Sequence, residues 1–344
     1  MRSTKYLIVK LSSLGDVIQT LPFASYLDGH VTWAVESEYT PLLKSVPAID
    51  EIRPIPFRKW RSKKCCFSEL KRRLQDLGSY DVVFDLQGNC KSGLVTKFAK
   101  AKEKVGFAKP VEWPNRLVTN RKIVLPEHFS IREQLRHLYT SYFGKEPEEH
   151  PLKLVGEEIP IPKPVFMVCM DSRWRNKQLT KALWREFLAK LQKEYKVHFL
   201  FVFGEKEEPI SKEFPGSVTI LKPEFGTWQR LMHEVDLILT VDSASLALAN
   251  TTNTPTFALF GPSSAKIFGP SAPGSGNFQG VCPYGETFVK RCSKLRTCPT
   301  GACLREATLK QLLLSFQNQC GFPQAQSPHE SSPCPLSESL PCTK

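Results

Sequence analysis

Short apolar runs alternate with amphipathic stretches along most of the chain. The runs TKYLIVKL (4–11), HVTWAVE (30–36), EIRPIPF (51–57) and YDVVFDLQ (80–87) predict four strands in the first half. VFMVCM (165–170), VHFLFVFG (197–204), VTIL (218–221), DLILTVD (236–242) and PTFALFG (255–261) predict five more in the second. Several of these are apolar throughout rather than alternating, as in parallel strands buried on both faces. Between them, SELKRRLQDLG (68–78), ALWREFLAKLQKEY (182–195) and TWQRLMHEVD (227–236) have the spacing of amphipathic helices. Ser130 with Glu133, and Thr308 with Gln311, have capping-box spacing and open the helix that ends each half. Strand–helix alternation of this kind predicts an α/β protein with two Rossmann-like, doubly wound parallel sheets.

GEEIPIPKP (156–164) is rich in proline and charge and stands just before a new buried strand. It is read as a linker, which divides the chain into domains at 1–155 and 165–320 facing a cleft. From Gly321 to Lys344 proline and serine dominate without any hydrophobic period, so 321–344 is read as a disordered tail. A length of 344 residues suits two domains.

No stretch reaches the roughly 20 apolar residues of a membrane-spanning helix. Lys10 interrupts the first apolar run, and the reading is a cytoplasmic protein without a signal peptide. The eleven cysteines are therefore read as reduced thiols, with Cys169 a small buried apolar residue. The net charge of +13 changes the picture most, because a basic surface attracts nucleic acid, anionic lipid or an acidic glycan.

Three loops at predicted strand ends carry candidate chemistry. In K-L-S-S-L-G-D (10–16), Gly15 permits a tight strand-to-helix turn and Ser12 and Ser13 offer polar contacts. Asp16 there either takes a proton from an acceptor hydroxyl or caps the following helix. In D-S-A-S-L-A-L-A-N (242–250), Ser243, Ala244 and Ser245 are small enough to bring helix-start N–H groups close to a diphosphate. In D-S-R-W-R-N-K-Q-L (171–179), Lys177 either neutralises phosphate charge or faces solvent. No G-x-G-x-x-G is present in the first loop, which argues against an ordinary nicotinamide dehydrogenase.

Together these motifs resemble glycosyltransferase family 9, the ADP-heptose:lipopolysaccharide heptosyltransferases. K-x-S-S-x-G-D is matched by Lys10, Ser12, Ser13, Gly15 and Asp16, and D-x-Q-G-x-x-K-S by Asp85, Gln87, Gly88, Lys91 and Ser92. G-x-x-x-E is matched by Gly204 and Glu208, and the final pattern by Asp242 and Ser243 with a following Gly-Pro turn. The resemblance covers about residues 4–262 and implies a GT-B fold with an inverting, metal-free transfer from ADP-heptose. It implies Asp16 as base, with Lys177, Glu208, Asp242, Ser243, Ala244 and Ser245 on the donor. Ser12, Ser13, Gly15, Gln87 and Lys91 fall to the acceptor.

F-R-K-W-R-S-K-K (57–64) is similar to the basic segment of the branch that adds the first heptose to a Kdo sugar on lipid A. From Arg53 to Arg73 nine residues are basic and only Glu69 is acidic. That patch suits the Kdo carboxylate and lipid A phosphates, and assigns Arg58, Lys59 and Arg61 to the acceptor. The implied enzyme is a monomer at the inner, anionic face of the cytoplasmic membrane, with no cofactor and no nucleic-acid partner. The alternatives are heptosyltransferase II or a related transferase, and a non-catalytic basic protein binding nucleic acid. Two departures stand out: Ala244 and Ala247 occupy the positions of the family's Gly and His, and Val111 that of an Arg. Cys282, Cys292, Cys298 and Cys303 lack any C-x-x-C pair, which favours reduced thiols over structural zinc.

Overall fold

The computed structural model describes residues 3–63, 66–126, 129–148, 152–161, 163–204 and 208–320. The tail at 321–344, Lys64 of the basic segment and residues 205–207 of the G-x-x-x-E stretch lie outside them.

The first sheet is built from β1 (Lys5–Val9), β2 (His30–Glu36), β3 (Glu51–Ile55), β4 (Ser79–Asp85), β5 (Lys100–Phe107) and β6 (Arg121–Ile123). All its pairings are parallel, in the order β3-β2-β1-β4-β5-β6. The second sheet comprises β7 (Val165–Cys169), β8 (His198–Phe203), β9 (Val218–Leu221), β10 (Leu237–Val241), β11 (Thr256–Phe260) and β12 (Gly276–Gln279). It runs β9-β8-β7-β10-β11-β12, again all parallel, so the two sheets share one winding. In each, the order reverses beside the first strand, and the crevice at that reversal is where doubly wound sheets take ligands.

All nine strands expected from apolar runs form. The three that the pattern did not reveal are β5, β6 and β12. Strand β5 reads KAKEKVGF, with lysines and a glutamate where an apolar run is expected; only its end is buried. Strands β6 and β12 have three and four residues, too few for any period. Their place comes from a neighbour's open edge.

Inner faces of both sheets share one apolar cluster, running from Ile8, Phe84 and Tyr139 in the first half to Met167, Ile238 and Ala247 in the second. The outer face of the first sheet is covered by Leu70, Leu74 and Val95 of the helices Phe67–Gln75 and Cys90–Phe98. The outer face of the second is covered by Phe187 and Phe316 of the helices Lys181–Tyr195 and Leu309–Gln319. Both expected capping boxes form: Glu133 accepts from Ser130 N at 2.7 Å, and Gln311 from Thr308 N at 2.9 Å.

The connection between the sheets is bound to both halves. Val155 N donates to Ser45 O at 2.9 Å. Leu154 N donates to Gln229 Oε1 at 2.7 Å, and Gln229 Nε2 returns a bond to Leu152 O at 2.8 Å. A Cβ on Gly226 would stand 1.6 Å from Val155 O, so glycine is required where the connection crosses the Phe225–Glu234 helix.

Candidate active site

Residues 10–13 leave the carboxyl end of β1, and residues 86–89 leave the adjacent β4. Asp85, fully buried, accepts from Gln87 N (3.1 Å), Gly88 N (2.9 Å), Thr96 Oγ1 (3.0 Å) and Asn115 Nδ2 (2.6 Å). Gly88 has φ +73°, a conformation that favours glycine. Gln87 Oε1 then accepts from both Leu11 N and Ser12 N at 3.1 Å, and Lys10 Nζ donates to Leu86 O at 2.8 Å. The two family motifs are thus one object, a pair of loops stitched side chain to backbone. Gln87, expected on the acceptor, has its carbonyl oxygen committed to this stitching.

Asp16 sits in the first turn of the Leu14–Thr20 helix. Its Oδ2 accepts from Ser13 N (3.1 Å) and Ser13 Oγ (2.8 Å), so the capping role is real. Its Oδ1 faces the other half, 3.8 Å from Arg291 Nη2. Burial pushes the Asp16 carboxyl up, but Lys10, Ser13 and Arg291 outweigh it and hold the pKa below its usual value. Asp16 is therefore ionised at neutral pH, with one oxygen fixed and the other turned to the junction. Gly15 does not make the expected tight turn. It lies within the helix, with ordinary contact distances of 3.7 Å from a Cβ there to Ala247 Cβ and 4.0 Å to Ala244 Cα.

The basic segment forms the short helix Phe57–Arg61 after β3. Its members diverge. Arg58 turns inward: its N–H donates to Glu36 at 3.1 Å, its guanidinium pairs with Glu38 and lies 5.3 Å over the Tyr39 ring. Lys59 and Arg61 are exposed on the outer side. Lys91 Nζ lies 5.7 Å over the Phe57 ring. Burial pushes Glu36 up despite Arg58 and Lys91, and burial with the Glu38 hydrogen bond pushes Tyr39 up to about 12.

In the second half Lys177 is buried, not solvent-facing, and pairs with Asp242 at the end of β10. Ser263 Oγ donates to the same carboxylate oxygen. Ser243 Oγ accepts from Ser245 N at 3.2 Å and caps the Ala244–Ala249 helix. Glu208 pairs with Lys181 at 2.6 Å instead of standing open. Ala247 is buried in the junction, where it presents only a methyl group. Beside it is a cavity of about 310 Å³ between the halves, lined by Gln19, Tyr26 and Arg132 on one side and Ala247, Asn250 and Phe268 on the other.

Arg291 and Ser263 were not evident as site residues in the sequence. They are bridged backbone to backbone, and Arg291 is held 4.7 Å over the Phe268 ring. A chain of contacts therefore runs from Asp16 through Arg291 and Ser263 to Asp242 and Lys177. No spacing rule announces it, because its members come from opposite halves. Glu36, too, showed only as the last residue of an apolar strand.

Cys282, Cys292, Cys298 and Cys303 are free thiols around one pocket of about 280 Å³. Backbone N–H groups of Gly301 and Thr300 pull the Cys298 thiol down, while burial and the neighbouring thiols push Cys303 up to about 11. Among the described residues, no His, Cys, Asp or Glu side chains form a group able to hold a metal.

Two Rossmann-like domains of equal winding that face each other across a junction have the GT-B fold. The chain belongs to glycosyltransferase family 9 (heptosyltransferase), whose model matches residues 68–296. Among its relatives, lipopolysaccharide heptosyltransferase 1 of Pseudomonas aeruginosa is 22% identical over 306 residues, covering 77% of this chain and 81% of that protein. The lipopolysaccharide heptosyltransferase 1 of Escherichia coli K12 is 24% identical over 308 residues, covering 81% and 93%. The structure of E. coli heptosyltransferase WaaC with ADP-2-deoxy-2-fluoro heptose superimposes with a TM-score of 0.68 at 22% identity, covering 82% of this chain and 94% of that one.

Proposed function

We propose that this enzyme transfers heptose from ADP-heptose to the Kdo region of the lipopolysaccharide inner core, with inversion. The observation that carries the reading is Asp16, ionised, capped through Oδ2 and turned through Oδ1 to the junction between the sheets. Asp16 takes the proton of an acceptor hydroxyl. That oxygen attacks the anomeric carbon from the face opposite the diphosphate, and the bond to the diphosphate breaks with its electron pair leaving on ADP. Lys177 neutralises the departing charge, which requires it to exchange Asp242 for phosphate; Ser243, Ala244, Ser245 and Glu208 complete the donor side. No metal is needed in this scheme. Ser12, Ser13, Gly15 and Lys91 border the acceptor, and Gln87 acts by holding the loop that presents them.

Arg58, Lys59 and Arg61 are assigned to the acidic acceptor, which favours Kdo-lipid A and the first-heptose branch over heptosyltransferase II. Among the described residues no helix is long and apolar enough to cross a membrane. We place the enzyme in the cytoplasm, as a monomer peripheral to the inner face of the membrane. Its domains are 1–155 and 165–320, joined by 156–164. The test is direct: purified protein is incubated with ADP-heptose and Kdo-lipid A, and ADP release and product mass are followed. Release of ADP with a product one heptose heavier supports the reading; no product with this pair, but product from a heptosylated acceptor, moves the enzyme to the heptosyltransferase II branch.

A further inference from the structure

Fourteen large apolar side chains are exposed among the described residues, and half of them lie between Trp60 and Leu117 in the first domain. The helices Phe67–Gln75 and Cys90–Phe98 pack side by side on the outer face of the first sheet, sharing the cluster of Leu70, Leu74 and Val95. The turn Trp113–Leu117 is fastened to the second of them through Asn115, whose Nδ2 donates to Asn89 O at 3.1 Å and Ser92 Oγ at 3.3 Å. On the solvent side of these elements Phe67 is 62% exposed, Trp113 66%, Leu117 71% and Val111 79%. Trp60 adds a ring 6.0 Å from that of Phe67. Single exposed apolar side chains are ordinary, but here the Trp60 and Phe67 rings adjoin each other, and Trp113 and Leu117 stand exposed on a turn bound to the adjacent helix.

The same surface is strongly basic. Lys59, Arg61, Lys71, Arg72, Arg73 and Arg116 are all exposed on it. Aromatic and aliphatic groups set among lysines and arginines suit the interface of an anionic bilayer, where rings enter the headgroup level and cations meet lipid phosphates. A protein partner of acidic surface would match the charge but not the protruding rings set among the cations. We infer that this face of the first domain, from Phe67 across to Trp113 and Leu117, is the surface by which the enzyme rests on an anionic lipid membrane. The helix Phe57–Arg61 and the loop at 86–89 leave the carboxyl ends of β3 and β4 beside it, so a lipid-anchored acceptor reaches the cleft without leaving the bilayer. The inference deepens the glycolipid-acceptor reading, on which it relies for that orientation.

The test uses full-length protein and sedimented vesicles of phosphatidylethanolamine with phosphatidylglycerol, against vesicles of phosphatidylcholine alone. Two variants are compared: the apolar triple Phe67→Ser, Trp113→Ser, Leu117→Ser, and the charge triple Lys71→Gln, Arg72→Gln, Arg73→Gln. Wild type is expected to bind the anionic vesicles more tightly, and each variant to lose about tenfold or more. With acceptor embedded in those vesicles turnover falls in both variants; with a deacylated, water-soluble acceptor it is retained. Unchanged vesicle binding in both variants overturns the inference. So does a wild-type dimer that the apolar triple dissociates, which would make the face an interface between two copies. Wild type that binds vesicles through these residues but transfers no heptose leaves the surface standing and removes the proposed reaction instead.

Discussion

The two sheets have the same strand order, yet they hold their site residues by different means. In the first, a fully buried Asp85 and the amide of Gln87 organise backbone, and the functional side chains stand at the edge of that scaffold. In the second, the functional groups pair with each other: Lys177 with Asp242, and Ser263 on the same carboxylate. The first arrangement leaves Asp16 Oδ1 turned to the junction, 3.8 Å from Arg291. The second keeps a cation buried by giving it an internal anion, since an unpaired buried charge is costly. One winding thus supports a polar backbone scaffold in one half and a closed ion pair in the other, which the proposed mechanism uses for acceptor and donor.

Five variants probe that contrast. The largest effect is expected at the outward-facing carboxylate: Asp16→Asn should lower turnover by about 10²–10⁴, with the fold retained by circular dichroism. Near-normal turnover would leave Asp16 as a helix cap only. Lys177→Ala comes next, with turnover reduced by roughly 10²–10³ and ADP binding weakened in calorimetry. If ADP binds as before, the Lys177–Asp242 pair is a structural bridge and the contrast between the halves fails.

Acceptor specificity should be a smaller matter. Arg58→Ala with Arg61→Ala should raise the acceptor Michaelis constant about ten- to hundredfold and leave that for ADP-heptose unchanged. A defect confined to the donor titration would refute the acceptor assignment. Arg58→Lys should cost less than the double variant yet still raise the acceptor Michaelis constant, because lysine keeps the charge near Glu38 but lacks the planar guanidinium that can grip an acceptor carboxylate through two bonds.

The smallest effect concerns pH. In the proposed mechanism Asp16 works ionised, and its pKa is held below the ordinary carboxylate value, so activity should be full at neutral pH and lost only as the pH falls through that depressed value. Arg291→Ala removes one of the charges that depress it, while Lys10 and Ser13 remain. The acid limb of the kcat/KM profile should therefore move upward, and activity at neutral pH should stay close to wild type in its Asp16 protonation state. An unmoved acid limb would show that the 3.8 Å approach of Arg291 does not act on the base.

Strands with apolar runs were legible because burial on both faces leaves no room for alternation, and β7, β8 and β10 carry that signature. Strand β5 was not, because its lysines and glutamate are those of a half-exposed surface, and its pairing with β4 and β6 is what recruits it. Capping boxes at Ser130 and Thr308 were legible because they are local: two residues three positions apart decide them. Asp16 was legible both as cap and as candidate base, and the sequence left the two uses open. The structure shows the cap and divides the oxygens, one to Ser13 and one toward Arg291.

What the chain of residues determined by itself was therefore local or periodic: the alternation of strands and helices, the two motif loops, and the basic stretch from Arg53 to Arg73. Tertiary structure alone decided which polar groups became partners across long separations. Lys177 finds Asp242, Arg291 finds Asp16, and Gln87 finds the backbone of residues 11 and 12 because parallel strands deliver their carboxyl ends to one edge. It also decided that the large apolar side chains of Phe67 and Trp113 stand exposed. Periodicity reports only how a residue meets its own element. Charge pairing and surface patches depend on which elements the sheet order makes neighbours.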